Sequence, residues 1–279
     1  MASTATSTGA PFGELLRDWR RRRCVSQFDL ALEANVSARH LSFIETGRAQ
    51  PSAKMVLHLA GELDVPLRER NRLLLAAGYA PVFQERALSD PAMAEINAAV
   101  QLVLDGHDPY PALTVDRGWA LVAHNRAAAM LLEGLPDDLL APPLNVLRAS
   151  LHPDGLAPRI RNLPQWRAHL LERLSRQAAV TGDPALRTLR DELAAYPCPS
   201  SPEHADDATD RRSDIAVPLR LGLPDGTELA FISAVTTFGT PADITVEELS
   251  IESFFPADAA TAALLQARAR PSTSSAYRR

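Results

Sequence analysis

Apolar residues recur every three to four positions through the first 80 residues. Phe12, Leu15, Leu16 and Trp19 form one stripe, the spacing of a helix with a single buried face, and predict a helix over about 11–22. Leu30, Ala31 and Ala34 form a second stripe, and Leu41, Ile44 and Glu45 a third. Asn35-Val36 separates the last two: Asn tolerates the left-handed backbone that ends a helix, and Val36 plugs the turn. Ser26 and Ser37 stand where a hydroxyl caps a helix N-terminus. Thr46-Gly47 closes the third helix and leaves Ala38, Arg39, Ser42 and Phe43 on its outer face. Met55, Val56, Leu59 and Leu63 predict a fourth helix over about 53–63 with Ser52 as cap. Leu73, Leu74 and Leu75 belong to a fifth, over about 67–77, that stops at Gly78.

The pattern then changes. Residues 79–83, YAPVF, are too apolar for a free tether and read as a packed connector. Met93, Ile96, Val100 and Val103 mark an amphipathic helix over about 91–104. Residues 111–115 and 119–123 flank the turn Asp116-Arg117-Gly118 and read as a β-hairpin. Asn125 caps a helix behind it. A helical section spans about 145–196, broken at Gly182-Asp183-Pro184. Residues 197–213 are rich in Pro, Ser and Asp and read as a surface loop. A second hairpin, 215–221 with 228–238, follows; its second strand is largely apolar and is expected to be buried on both faces. Residues 243–255 read as a further strand, and 258–267 as a last helix. The fold class is α+β: five helices, then an antiparallel sheet with helices packed on one side, a layering that commonly encloses pockets. The expected division is a disordered 1–10, an all-helical domain over 11–80, an α+β domain over 81–267 and a disordered tail over 268–279.

Charge sharpens this division. The 279-residue chain carries a net −5, which alone argues against nucleic acid, yet residues 1–72 hold 11 Lys and Arg against 8 Asp and Glu. A mildly basic head on an acidic body suits a DNA-binding module joined to a domain of another kind. The two cysteines, Cys24 and Cys198, fall in separate domains and make neither a disulfide framework nor a metal site. No stretch reaches the ~20 apolar residues of a membrane span and no signal pattern opens the chain, so the expectation is a soluble, cytoplasmic protein without a membrane partner.

The stretch 26–47 with its flanks resembles the helix-turn-helix of phage-repressor-like bacterial regulators, often called the XRE family. Gln27, Ala31, Val36-Ser37, Leu41-Ser42, Ile44-Glu45, Gly47-Arg48 and Pro51-Ser52 carry the match. Such a recognition helix presents its N-terminal residues to the major groove, which places Ser37, Ala38, Arg39 and Ser42 nearest base edges. Arg39 is the strongest candidate, because a guanidinium bonds guanine O6 and N7 together. Phe43 has two readings, contact with a thymine methyl or packing against the first helix. Gln27 and Arg48 fit phosphate, as in the family pattern. Glu45 reads as structural, holding an Arg or a backbone N–H, since DNA repels a carboxylate.

The second half resembles the ligand-binding domain of MmyB-like regulators, which has a PAS-like fold. The match rests on residues 73–79, Trp119, His124-Asn125, residues 145–148, His152-Pro153, and residues 186–193, 236–241 and 247–258; residues 199–210 depart from the pattern. The resemblance implies a transcription factor that senses a small apolar ligand such as a fatty acyl chain. Trp119, His124, Trp166, Phe231 and Phe238 are pocket candidates, with Asn125 and Arg148 as polar anchors; core packing, capping and ion pairing are the alternatives for each. Catalytic motifs and metal-ligand spacing are absent, so neither an enzyme nor a cofactor is expected. One such motif reads few base pairs, so the partners expected are operator DNA, a small ligand and a second copy of the chain. A constitutive repressor whose second domain only dimerises or binds a protein is the alternative, and an enzyme that autoregulates through DNA is a third.

Overall fold

The computed structural model describes residues 11–198 and 217–269. The expectations for residues 1–10, for 199–213, for the start of the second hairpin at 215–216 and for the tail beyond 269 lie outside the described residues. The chain forms two compact units.

The first unit holds α1 (Phe12–Arg22), α2 (Gln27–Glu33), α3 (Ala38–Glu45), α4 (Ala53–Glu62) and α5 (Leu67–Ala76). Three of these start on a serine cap. Ser26 Oγ accepts from the Asp29 N–H, Ser37 Oγ from the His40 N–H and Ser52 Oγ from the Met55 N–H, at 3.1–3.2 Å. Asn35 takes the left-handed conformation, φ 51°, that ends α2. Leu16, Leu30, Leu41, Ile44, Val56, Leu59 and Leu74 meet in one buried core. Gly13 lets α1 lie against the end of α3: a Cβ there would stand 2.5 Å from the Glu45 carbonyl oxygen, closer than any side chain tolerates. The connector is not packed as expected, since Ala80, Pro81 and Val82 are exposed, but it is tied down by hydrogen bonds: Asn71 Oδ1 accepts from the Val82 and Phe83 N–H groups, and its amide donates to the Phe83 carbonyl. Residues Thr240–Glu247 also belong to this unit. There the Leu67 N–H at the start of α5 donates to Glu247 Oε2 at 2.8 Å, and Arg86 pairs with Asp243 at 2.9 Å.

A buried carboxylate ties the first three helices together. The Glu45 side chain is 1% exposed. It accepts from Arg20 Nε at 2.7 Å, Arg20 Nη2 at 3.1 Å, Gln27 Nε2 at 3.0 Å and Arg17 Nε at 3.4 Å. Burial pushes its pKa up, but the hydrogen bond and charge of Arg20, with Gln27 and Arg17, outweigh that and hold it below the ordinary 4.5. The structural role expected of Glu45 is therefore met by two arginines of α1.

The second unit begins with a short 3-10 turn, Pro91–Met93, and α6 (Ala94–Gly106). It continues through β1 (Ala112–Val115), β2 (Leu121–His124), α7 (Arg126–Leu132), α8 (Asp137–Leu140), α9 (Val146–Leu151), α10 (Leu163–Thr181) and α11 (Pro184–Ala195). Then come β3 (Leu219–Gly222), β4 (Glu228–Thr237), β5 (Ser250–Pro256) and α13 (Ala259–Ala269), while α12 (Ile244–Glu248), between β4 and β5 in the chain, falls but for Glu248 in the segment that belongs to the first unit. The five strands form one antiparallel sheet in the order β2-β1-β5-β4-β3. The main core lies on one face, where Trp166, Leu170 and Leu174 of α10 join Leu221, Phe231 and Phe254.

Three expectations need correction. Residues 243–255 are not one strand. Asp243 Oδ1 accepts from the Thr245 N–H and its carbonyl from the Glu247 N–H, which starts the short α12 before β5. The second strand of the second hairpin is not buried on both faces. Leu229, Ala230 and Phe231 are buried, but β3 reaches only as far as Phe231, and Ile232 and Val235 stand 43% and 46% exposed. Helices do not keep to one side: Val100 and Leu104 of α6 pack with Ala112 and Ile251 on a separate small cluster.

Glu45→Gln keeps the shape but leaves two arginines without their charge partner. Removing one member of a buried pair is strongly destabilising, and with Arg17 one-third exposed the expected loss is about 3 kcal/mol. It should appear in hydrogen exchange of the α1–α3 amides in the full chain. A carboxyl whose native pKa is depressed adds stability that is complete above its unfolded pKa and is lost as pH falls through the native one. The gap between wild type and variant should therefore be constant near neutral pH and shrink below pH 4.5.

Candidate DNA-reading helix and ligand cavity

Two sites emerge, one in each unit. In the first, α3 starts at the Ser37 cap, and Ser37, Ala38 and Arg39 are exposed on its first turn, while Ser42 and Phe43 are partly buried one turn on. The face opposite carries Leu41, Ile44 and Glu45 into the core. Phe43 lies outside the core cluster and supports the Arg39 guanidinium 5.3 Å above its ring. A cation over an aromatic face is attracted by the ring quadrupole, so Phe43 orients Arg39, a role the sequence reading did not foresee. Arg48 is exposed just past the end of α3. Gln27 sits at the start of α2 with its amide nitrogen on Glu45. Its side chain is thereby fixed by the same carboxylate that anchors α3 to α1.

In the second unit, the sheet and helices enclose a cavity of about 70 Å³. Its wall is apolar: Leu113 and Leu121 from the sheet, Ala128, Leu131 and Leu132 of α7, Val146, Leu147 and Ala149 of α9, and Trp166 and Leu170 of α10. Strand register explains the sheet side. Leu113 of β1 stands opposite His124 of β2 and Glu252 of β5, and directly opposed residues share a face. His124, Leu113 and Glu252 thus form one row along the cavity. His124 is exposed, at the mouth; Glu252 is 4% exposed.

Of the seven pocket candidates, the structure brings His124 and Trp166 to this cavity. Trp166 lies across its wall, its indole N–H donating to Ser150 Oγ at 3.1 Å, with His169 stacked on its other side. Burial, with the nearby charge of Arg173, pushes the His169 pKa down.

The remaining five stand elsewhere. Asn125 is a buried hub: its Oδ1 accepts from the Ala112 and Ala128 N–H groups and its amide donates to Tyr110 and Leu104 carbonyls. Arg148 makes a two-pronged pair with Glu192, both contacts 2.7 Å. Phe231 is fully buried in the core beside Phe254, and Phe238 packs on the far cluster with α6. Trp119 adopts φ 67° at the tip of the first hairpin, an unusual state for a bulky residue. Its indole N–H donates to Gln177, and the Arg173 guanidinium lies 4.5 Å above its ring.

Sequence reasoning missed Glu252. The available signal was a lone carboxylate between Ile251 and Phe254, at a position that strand alternation puts on the face of Phe254. In an apolar strand, an inward charge marks either an ion pair or a site. Here it pairs with Arg173, Nη1 to Oε1 2.8 Å. Among the described residues no group of three or more His, Cys, Asp or Glu could hold a metal ion. No helix there is long and apolar enough to cross a membrane.

Comparison with known proteins bears on both sites. Residues 11–73 match a helix-turn-helix domain family, and residues 96–267 match the MmyB-like transcription regulator ligand binding domain. Over 77 residues the chain is 36% identical to the uncharacterized HTH-type transcriptional regulator RghRB of Bacillus subtilis (strain 168), a stretch that is 27% of this chain and 53% of that protein. The chain thus spans about half the length of the curated relative it matches. A solved RNA-binding light-oxygen-voltage receptor aligns with 96% of this chain and 68% of its own at 12% identity and a TM-score of 0.25. With the match over 96–267 taking in more than half of its length, the chain belongs to the family of the MmyB-like transcription regulator ligand binding domain, here carried behind a helix-turn-helix domain.

Proposed function

We propose that the protein is a sequence-specific DNA-binding regulator whose second domain binds a small apolar molecule. The observation that carries the DNA half is the geometry of α3. Its inner face is locked by Glu45, while Ser37, Ala38 and Arg39 are exposed on its first turn. Arg39 reads a guanine edge, Ala38 and Phe43 are placed for thymine methyls, Ser42 for a polar base edge, and Gln27 and Arg48 for backbone phosphate. One such helix covers few base pairs, so the chain acts as a homodimer on half-sites about 34 Å apart per helical turn.

The ligand half rests on the cavity. An antiparallel sheet with helices over its cored face supports the PAS-like reading of this domain. A water needs about 10–15 Å³ of such space, so 70 Å³ takes roughly five to seven non-hydrogen atoms. That favours a short apolar chain over the long fatty acyl chain that the resemblance implied; a longer chain requires α7 and α9 to move apart. Occupancy changes DNA affinity only if the ligand prefers one of two states. Chain continuity offers a route: Phe254 and Glu252 line the cavity on β5, and α12, just before β5, itself carries Glu247, whose carboxylate accepts from the Leu67 N–H at the start of α5.

The DNA reading is tested on an operator selected from random duplexes. Arg39→Ala should cost about 1–3 kcal/mol on the selected site and relax preference at one base pair, whereas Arg48→Ala should weaken selected and scrambled duplexes alike and lower the salt slope by about one. Equal losses for both variants on both duplexes would remove Arg39 from base reading. The cavity reading is tested by Ala128→Leu, which fills the space from α7. The variant should fold, at a cost of about 1–3 kcal/mol for overpacking, and lose the stabilisation that a small apolar probe such as benzene gives the wild type in a thermal melt. Retained stabilisation would place the probe elsewhere.

A further inference from the structure

The cavity is apolar except at one buried point, and the chemistry of that point selects the ligand's head group. Glu252 lines the wall, whereas its partner Arg173 does not. The guanidinium is held behind the carboxylate, between Oε1 of Glu252 and the face of Trp119. What the cavity meets is therefore the acceptor side of an ion pair already neutralised from behind. At the mouth, His124 Nδ1 lies 3.0 Å from the Asn125 carbonyl oxygen. A carbonyl only accepts, so Nδ1 carries the proton and, in the neutral ring, Nε2 is left as an acceptor. Ser150, the remaining hydroxyl on the wall, accepts from Trp166 and keeps its own O–H, a donor that an alcohol or amide oxygen can accept.

We propose that Glu252 makes this cavity a site for a short apolar molecule ending in a neutral hydrogen-bond donor, a primary alcohol or amide, and that it excludes carboxylates. This rests on the cavity being a ligand site. Two carboxylates facing each other in an apolar space cannot both stay ionised, because like charges at close range raise a pKa strongly. A carboxylic acid would therefore enter only with its proton on, donating to Glu252. An alcohol needs no proton uptake. An amine would be drawn to the carboxylate but would have to lose its hydration shell beside Arg173, whose charge already balances Glu252.

The test uses the full-length protein and two probes with the same number of non-hydrogen atoms, 1-hexanol and pentanoate, with binding followed by titration calorimetry and by the Trp166 indole resonance. At pH 7.5, 1-hexanol should bind at least tenfold more tightly than pentanoate. Pentanoate affinity should fall about tenfold per pH unit between pH 6 and 8, as uptake of one proton requires, while 1-hexanol affinity stays level. Glu252→Gln should narrow the preference at least tenfold, because it removes the repelling charge and frees Arg173. The wild-type comparison stands by itself if that variant folds poorly. Pentanoate binding as tightly as 1-hexanol, without a pH slope, would overturn the head-group assignment and leave the cavity a ligand site. Failure of both probes to move the Trp166 resonance would overturn both readings together.

Discussion

The hydrogen-bonded pairing of Glu45 with Arg20 is the interaction on which the DNA-reading half depends. Helix α3 is only eight residues long, too short to persist without tertiary contacts. On the proposed reading its outer face stays exposed to meet DNA, so its orientation has to come from the inner face alone. Leu41 and Ile44 supply burial, which is non-directional. Glu45 supplies direction, because its oxygens receive donors from α1 and α2 at fixed angles. Gly13 completes the arrangement by letting the α1 backbone approach the end of α3. The same carboxylate that would be repelled by DNA on the outer face is what aims the outer face.

The second domain shows the same economy with a different pair. Arg173 and Glu252 sit between α10 and β5, with Trp119 forming a lid over the cation. A buried ion pair is weak evidence for stability. Here Glu252 lines a largely apolar space and Arg173 does not, so on the proposed reading the pair gives that space a chemical polarity. In the first unit a buried carboxylate is surrounded by donors and does nothing beyond the fold. In the second it has one cationic partner and a face turned to a cavity.

Much of this was legible in the sequence because it is local. The serine caps, Asn35 in its left-handed turn and the 3.6-residue stripes of the first unit all act within a few residues, and each formed where the pattern put it; on α6 the stripe runs through Leu104 instead of the expected Val103, which is exposed. The structural role of Glu45 followed from a charge on an apolar face. What failed depends on distance along the chain. Residues 243–255 carry apolar positions compatible with a strand throughout, and only the Asp243 cap decides for a helix first. The exposure of Ile232 and Val235 depends on how far β3 reaches, which no local pattern records. Arg148 and Glu192 are 44 positions apart, so an arginine expected at a ligand could not be seen to be occupied. Glu252 went unremarked for the same reason: its meaning comes from facing Leu113 and Arg173, not from its neighbours.

The central claim is that the two halves are one regulator, so that filling the cavity and holding DNA are coupled. Coupling of binding free energies is reciprocal. The most direct measurement is the affinity of 1-hexanol for the free protein and for the protein saturated with its selected operator, under identical salt. The account predicts two different values, by the same factor that 1-hexanol changes operator affinity. Equal values, with 1-hexanol bound in both cases, would contradict it and leave a DNA-binding domain joined to a ligand-binding domain that does not govern it.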